Sequence, residues 1–265
     1  MNTPTPPTEA TDGRALRQDP FQERMIARLL AAQTPWGRFR LGLYVRSKRI
    51  AWNAVVGSTL FLKRALDITV SILALLFLAP VLLGVAALVK LDRGPVFFRQ
   101  TRIGLMGREF KMLKFRSMIV DADARWKDVL PKDEKANGVT VLIRNDPRIT
   151  RIGSILRKSS LDELPQLINV LRGDMSLVGP RPPLPREVAK YSQADRRRLL
   201  VKPGMTCLWQ IGEREGRLLE VGHRHSIEFP EQVELDVRYI ESQSLRKDLW
   251  ILVKTVPAIL FGRLV

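Results

Sequence analysis

The sequence predicts an α+β fold, mainly helical, in which a re-entrant membrane helix hairpin joins a domain with short strands. Three observations predict it. One apolar run, Ile68 to Val89, has no formal charge in 22 residues; basic residues flank it on both sides; and short β-like and helical stretches alternate beyond Gly94.

Composition narrows the chemistry. The 265 residues are 45% hydrophobic, enough for a core, and carry 44 Lys+Arg against 27 Asp+Glu, a net charge of +17. Such a surplus implies a polyanionic neighbour: nucleic acid, an anionic membrane face or a phosphorylated substrate. A single cysteine, Cys207, excludes an internal disulfide, and two histidines, His223 and His225, argue against a Cys- or His-built metal centre. Chemistry is left to carboxylates, basic groups and a hard cation.

Residues 1–20 are rich in Pro and Thr without an apolar run, and read as a disordered tail, not a secretory leader. Residues 21–62 mix Arg24, Arg28, Arg38, Arg40 and Arg46 with Trp36, Phe39, Tyr44 and Trp52. They read as a basic amphipathic segment in the lipid headgroup layer, with a solvated basic surface as the alternative. No nucleic-acid-binding motif accompanies the charge, so no nucleic-acid partner is expected.

Residues 63–92 hold the membrane-inserted part. As a helix, the apolar run is about 33 Å long, one bilayer core. Pro80 near its centre removes a hydrogen bond and costs a helix interior about 3 kcal/mol. Upstream lie Lys48, Arg49, Lys63 and Arg64; downstream lie Lys90, Arg93, Arg99, Arg102 and Arg108. Four against five gives a simple span no orientation. A helix that dips in, breaks at Pro80 and returns keeps both flanks on the cytoplasmic face. A kinked single span is the alternative, since spanning helices tolerate proline.

Residues 93–265 read as the soluble-looking domain. Val96–Gln100 and Phe110–Arg116 predict two strands around a Gly104/Gly107 turn. Helices are predicted over Asp121–Leu130, Arg151–Leu156, Leu164–Leu171, Glu187–Leu200, Val233–Ile240 and Leu249–Phe261, the last strained by Pro257. Asp133–Asp146 reads as a loop and Pro180–Pro185 as a stiff extended segment.

The most informative stretch is Arg157-Lys158-Ser159-Ser160-Leu161-Asp162-Glu163-Leu164-Pro165-Gln166-Leu167. Asp162 suits a helix N-cap with Pro165 in the first turn, and Ser160 with Glu163 fits a capping box one register earlier. A helix start is one reading. The other uses the same geometry: a helix N-terminus holds phosphate and keeps a carboxylate ionised. Consecutive helical side chains point about 100° apart, so Asp162 and Glu163 suit different tasks, one attacking and one holding a metal. Lys114, Arg116, Arg148, Arg157 and Arg181 supply enough cation for a diphosphate.

From about Lys63 to Phe261 the chain resembles the bacterial sugar transferases, the monotopic phosphoglycosyl transferases acting on polyprenyl phosphate. The matching blocks are Lys63-Arg64-Ala65-Leu66-Asp67, Lys114-Phe115-Arg116-Ser117-Met118, Asp146-Pro147-Arg148-Ile149-Thr150, Ser160 through Gln166, Gly173 through Pro182, and Lys202-Pro203-Gly204-Met205-Thr206. The resemblance implies a cytoplasmic catalytic domain at the bacterial inner membrane, using Mg²⁺, a UDP-sugar and undecaprenyl phosphate. Asp162 would attack the sugar-bearing phosphorus, releasing UMP, and the lipid phosphate would then take the sugar phosphate. By position it implies Glu163 as the second catalytic residue and metal ligand, Arg157 on the prenyl phosphate, and Pro180, Arg181 and Pro182 on the nucleotide. Lys114, Arg116 and Arg148 fall in substrate-binding blocks without individual roles. The product would start exopolysaccharide or O-antigen type glycans among membrane lipids, and the oligomeric state stays open. A catalytically silent membrane scaffold for glycan assembly is the alternative. Two features depart from the family pattern: Ala79-Pro80 stands where many relatives carry Ser-Pro, and the 211–227 stretch is longer than usual.

Overall fold

The computed structural model describes residues 25–27, 29–30, 33–122, 124–125, 146–211, 213–214, 217–218 and 227–261. The expected tail over 1–20 lies outside them, as do most of the 133–146 loop and most of the 211–227 stretch. The helix expected from Asp121 is described only at its start, which is a turn. The chain divides into two units, one ending at Ser58 and one beginning at Thr59.

Helix α1 (Pro35–Leu91, 57 residues) contains the whole apolar run. Within the first unit its aromatic residues face outward: Trp36, Phe39 and Trp52 are exposed, and Trp36 stacks on Phe39 with centroids 5.6 Å apart. The helix continues through Pro80 without a turn, so the two-armed hairpin expected there is not built as two helices and a loop. The flanking Leu78, Ala79, Val81 and Leu82 carry no polar side chain to compete for the backbone, which leaves helix as the favoured state. Re-entry then requires a bend at Pro80 inside one helix.

In the second unit, both sides of Pro80 rest on the same body. Val70, Ala74 and Leu75 pack against the main core of Met112, Leu167, Val170, Met175, Leu177, Leu208, Tyr239 and Ile251. Val85 and Val89 are buried with Phe115 and Leu156 in a second cluster. Between these contacts, Leu76, Phe77 and Leu83 are 70, 84 and 72% exposed. The entry to the apolar run is moored by polar bonds. Lys63 Nζ donates to Asp248 Oδ2 (2.5 Å) and Val178 O (3.1 Å), and Arg64 donates to Val170 O (2.6 Å) and Leu171 O (2.8 Å). Asp67 Oδ1 accepts from Ser176 Oγ and Leu177 N at 3.1 and 3.0 Å.

Strands β1 (Phe97–Ile103) and β2 (Glu109–Phe115) form an antiparallel hairpin around a 3-10 turn at Leu105–Gly107, as the alternation and the glycines predict. Helices α2 (Arg151–Ser159) and α3 (Gln166–Arg172) follow, then β3 (Ser176–Val178), helix α4 (Pro185–Val188) and β4 (Gly204–Thr206). β3 pairs with β4 in parallel, and a Cβ on Gly204 would lie 2.1 Å from Gly179 N, so only glycine permits that approach. Two short strands, β5 (Glu213–Arg214) and β6 (Arg217–Leu218), pair antiparallel. Helices α5 (Phe229–Glu241) and α6 (Leu245–Phe261) close the domain, and α6 continues past Pro257.

One predicted helix is replaced. Glu187–Leu200 is not continuous: α4 ends at Val188 and a 3-10 helix covers Asp195–Leu199. Ser192 N donates to Asp195 Oδ2 (2.8 Å) and Asp195 N to Ser192 Oγ (3.2 Å), a reciprocal cap that restarts the helix. Arg198 is drawn inside, bonded to Asp236 and Tyr191.

Candidate active site

The site begins with how β2 is fixed. Asn169 on α3, fully buried, accepts from Leu113 N (2.9 Å) and donates to Lys111 O (2.9 Å) and Asp174 Oδ2 (3.1 Å). A buried side-chain amide satisfied at both ends holds strand and helix in one register. Lys114 on β2 is thereby brought to Glu163, with Nζ 2.9 Å from Oε1.

The carboxylates sit in a tight link between helices. Thr150 caps α2, its Oγ1 accepting from Gly153 N at 2.9 Å. At the other end Ser160 adopts the left-handed conformation (φ 58°), and a 3-10 turn over Leu161–Glu163 precedes α3. Asp162 is therefore no N-cap. The helix starts at Gln166 after Pro165, with no side-chain cap, and the Ser160/Glu163 capping box is not formed either. The left-handed Ser160 stops α2 one residue before Leu161, and Pro165 sets the start of α3, which leaves Asp162 and Glu163 in the turn between. Asp162 is buried there and Glu163 reaches a cleft.

The cleft is lined by Arg102, Lys114, Glu163, Gln166, Arg181 and Pro182 over Met112 and Met205. Three cations face one carboxylate. Burial pushes the Lys114 ammonium below its usual value, with Glu163 acting the other way. Burial likewise lowers Arg102 to about 10, and Arg181 adds to the shift. Arg157, in the last turn of α2, donates from Nε to Ser117 Oγ at 2.9 Å. Burial lowers it, and Asp162 is the strongest opposing charge, so Arg157 and Asp162 share one neighbourhood.

Of the residues singled out from the sequence, Lys114, Glu163, Arg181 and Pro182 line this cleft, with Asp162 and Arg157 beside it. Pro180 is buried below, its carbonyl accepting from Gly204 N at 2.9 Å. Two others are tied elsewhere. Arg116 donates to Val89 O (3.1 Å) and Arg93 O (3.3 Å) at the C-terminal end of α1, so its cation serves the helix terminus. Arg148 grips Asp146 with two bonds (2.9 and 2.6 Å), holds Ala122 O (3.1 Å), and keeps the Asp146 carboxyl below its usual range. Sequence reading missed Arg102, Gln166 and Gln210, which also line the cleft. An arginine in a strand reads as surface, and only its burial distinguishes it. Among the described residues no cluster of three His, Cys, Asp or Glu side chains forms.

Residues 58–262 match the family described as Bacterial sugar transferase. Named relatives agree. The galactosyl transferase CpsE of Streptococcus agalactiae is 44% identical over 205 residues, 77% of this chain and 43% of that protein. The exopolysaccharide production protein ExoY of Sinorhizobium fredii is 40% identical over 76% of this chain and 86% of its own length. The UDP-glucose:undecaprenyl-phosphate glucose-1-phosphate transferase of Escherichia coli is 43% identical over 76% of this chain and 40% of that protein. The chain thus spans less than half of CpsE and of the Escherichia coli transferase but most of ExoY, and the family match, residues 58–262, contains the whole cleft. It belongs to the bacterial sugar transferase family.

Proposed function

We propose that this chain is a phosphoglycosyl transferase that moves a sugar 1-phosphate from a UDP-sugar to undecaprenyl phosphate through a phosphosugar held on Asp162. The observation that carries the reading is the cleft: three cations around one carboxylate, with a second carboxylate in the same turn. Two relatives name the lipid carrier, the Escherichia coli enzyme above and the undecaprenyl-phosphate galactose phosphotransferase of Salmonella typhimurium, 39% identical over 80% of this chain.

Phosphoryl transfer asks the protein mainly for position and charge neutralisation, which this residue set supplies without histidine or thiol. Lys114 and Arg181 bind the diphosphate, and the Pro180–Pro182 block meets the nucleotide. The Asp162 carboxylate attacks the sugar-bearing phosphorus; the bond to the bridging oxygen breaks and UMP departs with it. Arg157 then seats the lipid phosphate, whose oxygen displaces Asp162 from phosphorus. Glu163 and the nucleotide phosphates fit a Mg²⁺ ion, since this cation takes one or two carboxylates plus substrate oxygens and asks for no dense ligand cluster. When bound, Mg²⁺ neutralises diphosphate charge.

Access to the lipid follows from α1. Its outer apolar face, Leu76, Phe77 and Leu83, needs a non-aqueous neighbour. Its two flanks touch one charged body, through Val70 and Leu75 on one side and Val85 and Val89 on the other. A straight span would carry its ends to opposite faces about 30 Å apart, beyond the reach of a body in water. A dip into the cytoplasmic leaflet, bent at Pro80, satisfies both and sets the cleft at the headgroups of the inner membrane. The test is direct. Membranes carrying the chain, given UDP-galactose or UDP-glucose, release UMP, and mass spectrometry of trapped protein finds a hexose phosphate on Asp162. A scaffold releases no UMP and carries no adduct.

A further inference from the structure

We propose that Arg102 is a phosphate-binding residue of the donor seat, holding the nucleotide-side phosphate that leaves as UMP. The proposal rests on the donor reading above. Arg102 is 6% exposed, and its guanidinium is bonded to neutral oxygens: Nη1 to Pro182 O (2.9 Å), Nε and Nη2 to Gln100 Oε1 (3.1 and 2.7 Å). Among the described residues no carboxylate lies within ion-pair distance of it. Glu187 and Glu163 favour its charge only from a distance, burial opposes it more strongly, and Arg181 on the same cleft adds to the cost. The arrangement is stable in function if an anion arrives between them, and a diphosphate brings two charges to a cleft lined by three cations and the single carboxylate of Glu163.

Its place in the cleft assigns the phosphate. Arg102 Nη1 holds Pro182 O and the next backbone rung joins Ile103 N to Pro183 O at 3.0 Å, so β1 supports the nucleotide-contacting block. Lys114 and Glu163, paired on β2 and the 3-10 turn, stand on the Asp162 side. As the oxygen of Asp162 bonds to the sugar-bearing phosphorus, charge grows on the bridging oxygen that leaves with UMP. Arg102 meets that charge with a donor already held in place. The second half-reaction has no nucleotide, so it does not use Arg102.

The experiment separates the halves. With the full chain in detergent and no lipid phosphate, exchange of labelled UMP into UDP-galactose or UDP-glucose reads the first half. Discharge of adduct, loaded by prolonged incubation, to undecaprenyl phosphate reads the second. Arg102→Gln is expected to lower exchange by about 100-fold or more, the scale of losing a preorganised donor to a developing anion. Arg102→Lys recovers about tenfold of that, and discharge stays within about threefold of wild type. Exchange at the wild-type rate in Arg102→Gln overturns the proposal. So does a parallel fall of exchange and discharge with a lowered melting midpoint, which marks Arg102 as a strut for Pro182. A wild-type chain that exchanges no UMP overturns the donor reading itself.

Discussion

Two sets of buried and half-buried cations divide this molecule, and they differ in what holds them. Arg64 ends on Val170 O and Leu171 O, Arg116 on Val89 O and Arg93 O, and Arg198 on Asp236 and Tyr191. The first two terminate helices α3 and α1, where exposed carbonyls carry about half a negative charge. Arg116 lies so close to Gly94 (φ +148°) that a Cβ there would sit 1.7 Å from Nη1. These arginines build the fold. Around the cleft, Lys114 pairs with Glu163, while Arg181 and Arg102, the latter bonded to the neutral oxygens of Gln100 and Pro182, line the same space. A net charge of +17 therefore says little about ligands until the cations already held at helix termini or by buried carboxylates are set aside.

The largest effect tests the open set. Asp162→Asn keeps shape and burial but removes the attacking oxygen's charge, and adduct formation is expected to fall by at least about 10³-fold. Adduct at wild-type yield in that variant moves the nucleophile elsewhere. Next comes the closed set. Arg198→Met leaves Asp236 as a buried charge without its partner, a loss of about 3–5 kcal/mol on the scale of broken buried pairs. The double variant Arg198→Met/Asp236→Leu recovers most of it, whereas a double variant as unstable as the single one makes the pair more than a charge match. Arg198 itself is held protonated by Asp236, which opposes the effect of burial. Smaller again, Arg116→Met loses charge-assisted bonds to two carbonyls, about 1.5–3 kcal/mol. Denaturant midpoints should drop while UMP release per folded enzyme holds. A turnover loss without a stability loss would return Arg116 to the cleft.

The same division explains what could be read from the chain. The β1–β2 hairpin was legible because alternation and the Gly104/Gly107 turn are local signals, and so were α2, α3, α5 and α6 from their periodicity. The carboxylate pair at 162–163 was legible as a motif but its turn was not: the left-handed Ser160 is set by how α2 meets β2. The β3–β4 ladder has three-residue strands some 28 positions apart, and nothing periodic announces it. Arg116, Arg148 and Arg102 look alike in sequence. Their different ends are decided by Val89, Asp146 and Pro182, which only folding brings within bonding distance.

The smallest effect lies at Ser160, where an open group adjoins the attacking carboxylate. Its left-handed backbone costs a non-glycine residue about 1 kcal/mol, and its Oγ is buried without a hydrogen-bond partner. Glycine is the residue such helix ends prefer. Ser160→Gly removes both penalties and loosens the unfolded chain slightly, so a net gain of about 1 kcal/mol is expected, read as a melting midpoint a few degrees higher. A lowered midpoint would show that the hydroxyl is closed by the fold, as the guanidinium of Arg116 is. A raised midpoint puts Ser160 with Arg102 among groups kept at a cost to stability beside the place where phosphate is bound.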